Sequence, residues 1–236
     1  MNIERKNINL GEAKMGEVKV IEIGESIFAE NDAAAEKIRQ QMKSQGTFFL
    51  NVMSGPGSGK TTTLSAIINR MKDKYKIGEM DVDIETSIDA QRVADATGVE
   101  SIQIHNMGLC HIDADMTSRA LQAYDTTNLD VLILENIGNL VCPAEFDVGA
   151  NKNLMLLSVP EGDDKPLKYP LMFEISDVVL INKIDTLEYF DFSKEKATER
   201  ILKLNPNAKI FFVSGKTGEG LDQVVDWLEE EIAAVK

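Results

Sequence analysis

The segment Ser54–Thr61 constrains the fold more than any other part of the chain, because its letters, SGPGSGKT, lie between an apolar run and a helix-like run. We predict a buried strand at Phe48–Met53 and a helix over about Lys60–Asp73. The segment ends in the G-K-T of the pattern G-x-x-x-x-G-K-[ST], although Ser54 replaces its first glycine. Glycines let the backbone direct several N–H groups at phosphate oxygens, and the positive end of the helix points at the same place. The pattern therefore predicts a nucleotide phosphate loop.

The residues of this loop have separate predicted tasks. Lys60 would reach the β- and γ-phosphates, and the Thr61 hydroxyl would ligate Mg²⁺. An ordinary glycine turn between a strand and a helix is the alternative interpretation. The residues that we expect to contact the nucleotide are Gly55, Gly57, Ser58, Gly59, Lys60, Thr61 and Thr62.

Short apolar runs alternate with helix-length segments along the rest of the chain. Further strands are predicted at Lys76–Asp83, Ser101–His105, Val131–Leu134, Asn153–Val159, Asp177–Ile181 and Lys209–Val213. Further helices are predicted at Asn31–Ser44, with Asn31 or Asp32 as the N-cap, and at Ile88–Ala96, Asp113–Tyr124 and Leu221–Ala234. Such alternation indicates parallel βαβ units, so we predict an α/β fold with a mostly parallel sheet and helices on both faces.

The N-terminal region is weakly patterned. Residues 1–26 are predicted to form an arm, with one alternating run at Val18–Ile23 that could be a short strand. Residues 27–236 continue the alternation without a linker, which predicts a single domain that carries the nucleotide site.

Two later motifs indicate which base is bound. Asn182-Lys183-Ile184-Asp185 has the form N-K-x-D and follows a predicted strand, where ligands bind in open α/β sheets. A carboxylate only accepts hydrogen bonds, so Asp185 suits the N1–H and exocyclic amine of guanine, whereas adenine has an acceptor at N1. Ser214-Gly215-Lys216 follows the next strand and resembles the loop that supports the guanine oxygen in GTPases. We expect GTP and GDP, with ATP as the second possibility.

Three carboxylates between these motifs are candidates for catalysis. Asp83 ends the second predicted strand, Asp89 comes six residues later, and Glu135 begins the sequence E-N-I-G where common GTPases have D-x-x-G. Asp83 and Glu135 could hold Mg²⁺, and Asp89 could orient the attacking water. Each of the three could instead be a helix cap or a solvated turn residue.

Sulfur and imidazole side chains follow two other strands. Cys110 and His111 are adjacent, and Cys142 comes four residues after Gly138. Both segments are predicted at the nucleotide-binding edge of the sheet. Thiolate and imidazole suit Zn²⁺ or Ni²⁺, whereas a buried free cysteine that only packs is the alternative. Three ligands would leave a position open for water or for a second chain.

The charge and composition exclude several classes of protein. The chain has 25 basic and 39 acidic residues, which gives a net charge of −14. Nucleic acids and anionic membranes are therefore not expected as partners. Two cysteines in 236 residues cannot form a disulfide framework, and the N-terminus lacks the apolar core of a signal peptide. We expect a cytoplasmic protein.

Several strings of the chain are similar to those of the HypB family. They are SGPGSGKTT, DIETSIDAQR, GLCHIDADM, ENIGNLVCPA and EGDDKPLKYP, and the resemblance runs from about Ile27 to the C-terminus. It implies a SIMIBI-class P-loop GTPase that hydrolyses GTP and helps to insert nickel into [NiFe] hydrogenase. Family metal ligands correspond to Cys110, His111 and Cys142, which implies binding of nickel or zinc.

The same resemblance implies partners. These are a second copy of the chain in a GTP-dependent homodimer, the small nickel metallochaperone HypA and, indirectly, the hydrogenase large-subunit precursor. Residues 1–30 contain neither the cysteine-rich nor the histidine-rich nickel motif that many relatives carry. The alternatives are a guanine-nucleotide switch without a metal role, a urease-type nickel GTPase and an ATP-dependent kinase.

Overall fold

The computed structural model describes residues 24–83, 88–106 and 108–236. Its sheet consists of seven parallel strands in the order β3-β2-β4-β1-β5-β6-β7. The strands are β1 (Phe48–Ser54), β2 (Ile77–Asp83), β3 (Glu100–His105), β4 (Val131–Gly138), β5 (Lys152–Ser158), β6 (Val178–Asn182) and β7 (Lys209–Phe212). The predicted α/β class and parallel sheet are confirmed.

Helices cover both faces of this sheet. They are α1 (Gly24–Gln45), α2 (Lys60–Met71), α3 (Ile88–Thr97), α4 (Ala114–Ala123), α5 (Cys142–Glu145), α6 (Lys165–Lys168), α7 (Pro170–Glu174), α8 (Lys194–Leu204) and α9 (Leu221–Val235), with 3₁₀ turns at Val159–Glu161 and Ile184–Tyr189. Among the described residues, no helix is both long enough and apolar enough to span a membrane.

Three clusters of buried side chains hold the layers together. One includes Leu50, Leu64 and Leu228 and lies between the sheet and α2, α3 and α9. Another, with Met42 and Leu132, joins α1 and α4 to the opposite face, and the third covers the rest of that face below α7 and α8. Strands that are buried on both faces read as continuous apolar runs, which is why their positions are visible in the sequence.

Two local predictions are wrong. The first concerns Asn31, which is not an N-cap, because α1 begins at Gly24. Its side chain is buried and makes tertiary bonds instead: Oδ1 accepts from the Ala114 N–H at 2.9 Å, and Nδ2 donates to the Asp147 carbonyl at 2.9 Å. Asn31 thus attaches α1 to the start of α4.

The second wrong prediction concerns the end of β4. The strand does not stop at Leu134 but continues through Gly138, because Glu135 pairs with Val52 and Gly138 with Ser54 of β1. The sequence E-N-I-G is therefore part of the sheet. Cys142, four residues after the end of this strand, is the first residue of the short helix α5.

The predicted arm and the strand at Val18–Ile23 lie outside the described residues. Helix α1 includes residue 27, where the predicted domain begins. All seven strands point the same way, so the segments that follow them emerge at one edge, which we call the carboxyl edge.

Candidate nucleotide and metal site

The phosphate loop joins β1 to α2 and depends on two glycines with positive φ. Gly57 has φ of 73° and Gly59 has φ of 96°. A Cβ atom at Gly59 would lie 2.8 Å from the Asn182 amide nitrogen, which is too close for a side chain. Ser54, which replaces the usual first glycine, ends β1 and is fully buried, and its hydroxyl donates to the Gly55 carbonyl at 2.8 Å.

The N-K-x-D motif supports this loop directly. The Asn182 amide donates to the Ser58 carbonyl at 2.9 Å, and the Lys183 ammonium donates to the Gly57 carbonyl at 2.6 Å. Lys183 has φ of 62°, the left-handed conformation that is uncommon for residues other than glycine and that often marks functional sites. The two motifs, about 120 residues apart in the sequence, therefore form one structure.

A cavity of about 340 Å³ lies beside these residues. Its lining includes Thr62, Asp185, Gly215 and Lys216. The Ser214 hydroxyl donates to Asp185 Oδ1 at 2.6 Å, which orients the carboxylate. The carboxylate thus faces a cavity of suitable chemistry for the N1–H and amino group of guanine.

A second cavity, of about 300 Å³, lies beside the phosphate loop and the end of β4. Lys60, Asp83, Asp89 and Glu135, the predicted catalytic residues, all line it. The Thr61 hydroxyl donates to Glu135 Oε1 at 2.8 Å. Asp89 also accepts a hydrogen bond from Arg92 at 2.9 Å. The structure therefore brings all four predicted residues together, with Thr61 beside them.

Two carboxylates that we did not predict lie close to Glu135, and one of them, Asp81, also lines this cavity. Glu79 and Asp81 on β2 are buried, and each offers an oxygen within 4.8 Å of the other and of Glu135. We call these three residues the carboxylate triad. Their alternation with Met80 and Val82 in E-M-D-V-D is the signal for one polar strand face, but the pattern is equally typical of a solvated face.

Burial determines the protonation of the triad. Removal from water raises the pKa of Glu79 to about 9, and burial followed by the neighbouring Glu135 raises the pKa of Asp81 to about 7. Burial also raises the pKa of Glu135, although the Lys60 ammonium and the Thr61 hydroxyl oppose that shift. Glu79 is therefore a neutral acid at pH 7, and its Oε2 accepts from the Ser101 hydroxyl.

The residues present fit a magnesium ion. Glu135 is 2% exposed, and its Oε2 is buried without a hydrogen-bond partner among the described residues. A buried, unsatisfied carboxylate oxygen next to a threonine hydroxyl is the donor chemistry that Mg²⁺ prefers. Thr61 and Glu135 are thus the side chains best placed to ligate it.

The two cysteines also come together at the carboxyl edge. The sulfur of Cys110, after β3, lies 2.8 Å from the sulfur of Cys142, although β2 separates β3 from β4 in the sheet. Both are free thiols, Cys110 is exposed, and the hydrogen bond that Cys110 donates to Cys142 raises the pKa of Cys110. They are not packed in the core, which disfavours the alternative of purely structural cysteines.

His111 lies beside this thiol pair but does not complete a compact cluster. Its Nδ1 is 3.8 Å from the Cys110 sulfur, and its ring stacks on Phe146 with a centroid distance of 3.9 Å. Among the described residues, three potential metal ligands within 4.8 Å of one another occur only in the carboxylate triad. A metal ion would therefore have two thiols close together and an imidazole on one side.

Comparisons with known proteins identify the family of the chain. A family model described as "CobW/HypB/UreG, nucleotide-binding domain" matches residues 48–212. The hydrogenase maturation factor HypB of Rhizobium leguminosarum bv. viciae is 41% identical over 219 residues, which cover 93% of this chain and 73% of that protein. The hydrogenase/urease maturation factor HypB of Helicobacter hepaticus is 42% identical over 219 residues, which cover 91% and 89%.

Solved structures extend the comparison to three dimensions. The crystal structure of HypB from Helicobacter pylori in complex with nickel is 40% identical, has a TM-score of 0.80 and covers 87% of this chain and 96% of its own. The signal recognition particle receptor FtsY from Elizabethkingia anophelis, in complex with GDP, has 14% identity, a TM-score of 0.51 and coverage of 80% and 70%. That likeness concerns the fold alone, and it agrees with the expected SIMIBI-type architecture.

Proposed function

The chain belongs to the HypB branch of the CobW/HypB/UreG family, and on that premise we propose that it is a GTP-hydrolysing metallochaperone that couples its nucleotide state to nickel delivery for [NiFe] hydrogenase. The observation that carries the proposal is the Cys110–Cys142 pair, 2.8 Å apart at the edge of the sheet that bears the phosphate loop. The nucleotide site alone would not distinguish a metallochaperone from a plain nucleotide switch.

Guanine recognition follows from Asp185 and the strand ends around it. Asp185, oriented by Ser214, supplies the acceptor that guanine needs. The Gly215 N–H donates to the Asn182 side chain at 3.0 Å, which holds the loop after β7 against the N-K-x-D motif. Adenine lacks the matching donors, so an ATP-dependent kinase is disfavoured.

Hydrolysis is assigned to the residues around Lys60. Magnesium bound there would neutralise charge that develops on the phosphates. Thr61 and Glu135 would hold the ion, with Asp83 at the end of β2 as a further candidate. Lys60 would bind the phosphate oxygens, and Asp89 would orient the attacking water once it is released from Arg92.

Nickel is the cargo of the thiol pair. Thiolate and imidazole ligands favour nickel or zinc over Mg²⁺, so the two metal sites select different ions although they share one edge of the sheet. Cys110, His111 and Cys142 leave coordination positions open, which suits an ion that must be released. A second copy of the chain, paired in the presence of GTP, would supply further ligands.

The proposed partners follow from the family. They are a second copy of this chain, the small metallochaperone HypA and, through it, the hydrogenase large-subunit precursor. Free thiols are consistent with the reducing cytoplasm. Because one of the relatives is named a hydrogenase/urease maturation factor, delivery of nickel for urease is the second candidate function.

Nickel titrations in the presence of GDP and of a non-hydrolysable GTP analogue test the proposal. We expect thiolate-to-nickel charge-transfer absorption, a nickel Kd that differs between the two nucleotides, and a larger molar mass in solution with the analogue. Equal nickel affinities would contradict the coupling. Absence of the absorption band would leave a guanine-nucleotide switch without a metal role.

A further inference from the structure

One side chain, Asn139, joins the two segments that carry the cysteines. Asn139 directly follows β4, and its Oδ1 accepts a hydrogen bond from the Val141 N–H at 2.9 Å. Its Nδ2 donates to the carbonyl oxygen of Cys110 at 3.3 Å. Because Cys142 directly follows Val141, a single amide group contacts the backbone on both sides of the thiol pair.

The end of β4 is also in direct contact with the phosphate loop. A Cβ atom at Gly138 would lie 3.2 Å from the Cα of Pro56 and 3.4 Å from its nitrogen, so the two backbones touch. The Asn139 N–H donates to the Ile137 carbonyl at 2.8 Å, which makes a tight turn at the strand end. A displacement of Pro56 would therefore reach Asn139 through one residue of backbone.

The segment that contains Cys110 behaves as one unit. The Asn106 amide donates to the Leu109 carbonyl at 2.6 Å and to the His111 carbonyl at 3.0 Å, so the backbone on both sides of Cys110 is held. A displacement of the Cys110 carbonyl would therefore also displace its neighbours Leu109 and His111. The hydrogen bond from Asn139 to the Cys110 carbonyl is where a movement at the end of β4 would be passed to this segment.

We propose that Asn139 is a positioning residue that transmits the state of the phosphate loop to the separation of the Cys110 and Cys142 sulfurs. This inference rests on the proposed function, since it specifies how the nucleotide would alter nickel affinity. Asn139 itself does not need to touch the metal or the nucleotide. When two binding sites are linked, each changes the affinity of the other by the same factor. The Asn139 amide, which accepts one hydrogen bond and donates another, is a physical connection through which such an effect can pass.

Two substitutions separate the arms of this amide. Asn139→Ala removes both hydrogen bonds, whereas Asn139→Asp keeps the acceptor for Val141 and loses the donor for Cys110. Asn205→Ala is a matched control, because Asn205 accepts from the Asn207 N–H at 3.1 Å and donates to the Ser176 carbonyl at 2.9 Å. Its amide also donates to the Glu174 carbonyl at 3.2 Å, so it joins backbone segments as Asn139 does, but it follows α8 and not β4.

Nickel Kd values with GDP and with the non-hydrolysable GTP analogue give the first measurement. For the natural chain and Asn205→Ala we expect the two values to differ about fivefold or more, within the usual range for coupled sites. Both Asn139 variants should bring the ratio below about twofold while the charge-transfer band persists. An unchanged ratio of the two Kd values in Asn139→Asp would overturn the inference, because the hydrogen bond to the Cys110 carbonyl would then not contribute to the coupling.

A second measurement does not depend on nickel. The chain has two cysteines, and dibromobimane becomes strongly fluorescent when it links two thiols. We expect the linking rate of the natural chain to depend on the nucleotide, and that dependence to vanish in both Asn139 variants. If linking depends on the nucleotide but nickel affinity does not, the proposed function fails and the positioning role stands. If the linking rate of the Asn139 variants still depends on the nucleotide, the positioning role is wrong but the proposed function is unaffected. Melting midpoints establish that each variant is folded.

Discussion

Glu79→Gln is the substitution for which the structure makes the most quantitative prediction. The side chain is 0% exposed, and burial raises its pKa from 4.5 to about 9. An acid whose pKa is higher in the folded state stabilises the fold fully below its unfolded pKa and loses that contribution as the pH rises through the folded value. Between pH 4.5 and about 9, the contribution of Glu79 to the stability of the natural chain should therefore fall as the pH increases.

Glutamine removes this dependence without changing the shape of the side chain. Each pH unit above 4.5 is worth about 1.4 kcal/mol, so the variant should gain about 2 kcal/mol at pH 6 and about 5 kcal/mol at pH 8. Glutamine also keeps the existing hydrogen bond, because the amide oxygen can still accept from the Ser101 hydroxyl. The amide nitrogen would take the place of Oε1, which has no hydrogen-bond partner among the described residues.

Urea denaturation at pH 6 and pH 8, without nucleotide or divalent metal, measures both values. Glu100→Gln is the matched control, because Glu100 is exposed on the neighbouring strand β3. We expect that control to show no comparable gain at either pH. A Glu79→Gln variant with the same free energy of unfolding as the natural chain at pH 8, or with a gain that does not grow with pH, would refute the assignment of Glu79 as a buried neutral acid.

Three further substitutions test the nucleotide and metal sites. Asp185→Asn should weaken GDP binding about 100-fold and favour xanthosine nucleotides, because their C2 carbonyl accepts a hydrogen bond from the new amide. Competition against a fluorescent GDP analogue measures both affinities. An unchanged GDP affinity would contradict guanine recognition by Asp185. Thr61→Ala removes the hydroxyl that contacts Glu135 and that we expect to ligate Mg²⁺. Half-maximal GTP turnover should therefore require about tenfold more Mg²⁺. An unaltered requirement in a magnesium titration would exclude Thr61 as a ligand. Cys142→Ser should weaken nickel binding at least about tenfold and diminish the charge-transfer band with little change in melting temperature, and full retention of both would exclude Cys142 from the nickel site.

The nucleotide site could be predicted because its motifs are local. The phosphate loop and the N-K-x-D motif are short, contiguous strings, and each follows a strand that is buried on both faces. A parallel sheet then requires both strings to emerge at one edge, whatever the order of its strands. The same reasoning placed Cys110 and Cys142 at that edge.

Tertiary context determined what the sequence could not show. Asn31 is a residue type that often caps helices, but its hydrogen bonds to Ala114 and Asp147 can form only when α1 and α4 pack together. The alternation in E-M-D-V-D indicates a strand, yet it does not reveal that helices cover the carboxylate face and leave Glu79 with 0% exposure. Residues whose environment is assembled from distant segments lie beyond the reach of periodicity and local motifs.

The strand order explains why the thiol pair is sensitive to small movements. Neighbouring strands are about 4.8 Å apart, so the segments after β3 and β4 start about 10 Å apart on either side of β2 and must lean together for the sulfurs to meet. At metal–sulfur bonds of about 2.3 Å, two ligands of a tetrahedral ion lie about 3.8 Å apart, and adjacent ligands of a square-planar ion lie about 3.3 Å apart. The observed 2.8 Å is shorter than either value, so the two segments would have to move apart for both sulfurs to bind one ion of either geometry. A change of about 1 Å in the separation of the segments exceeds the tolerance of a metal–sulfur bond, so a single side chain at the end of β4 that sets this separation would alter metal affinity.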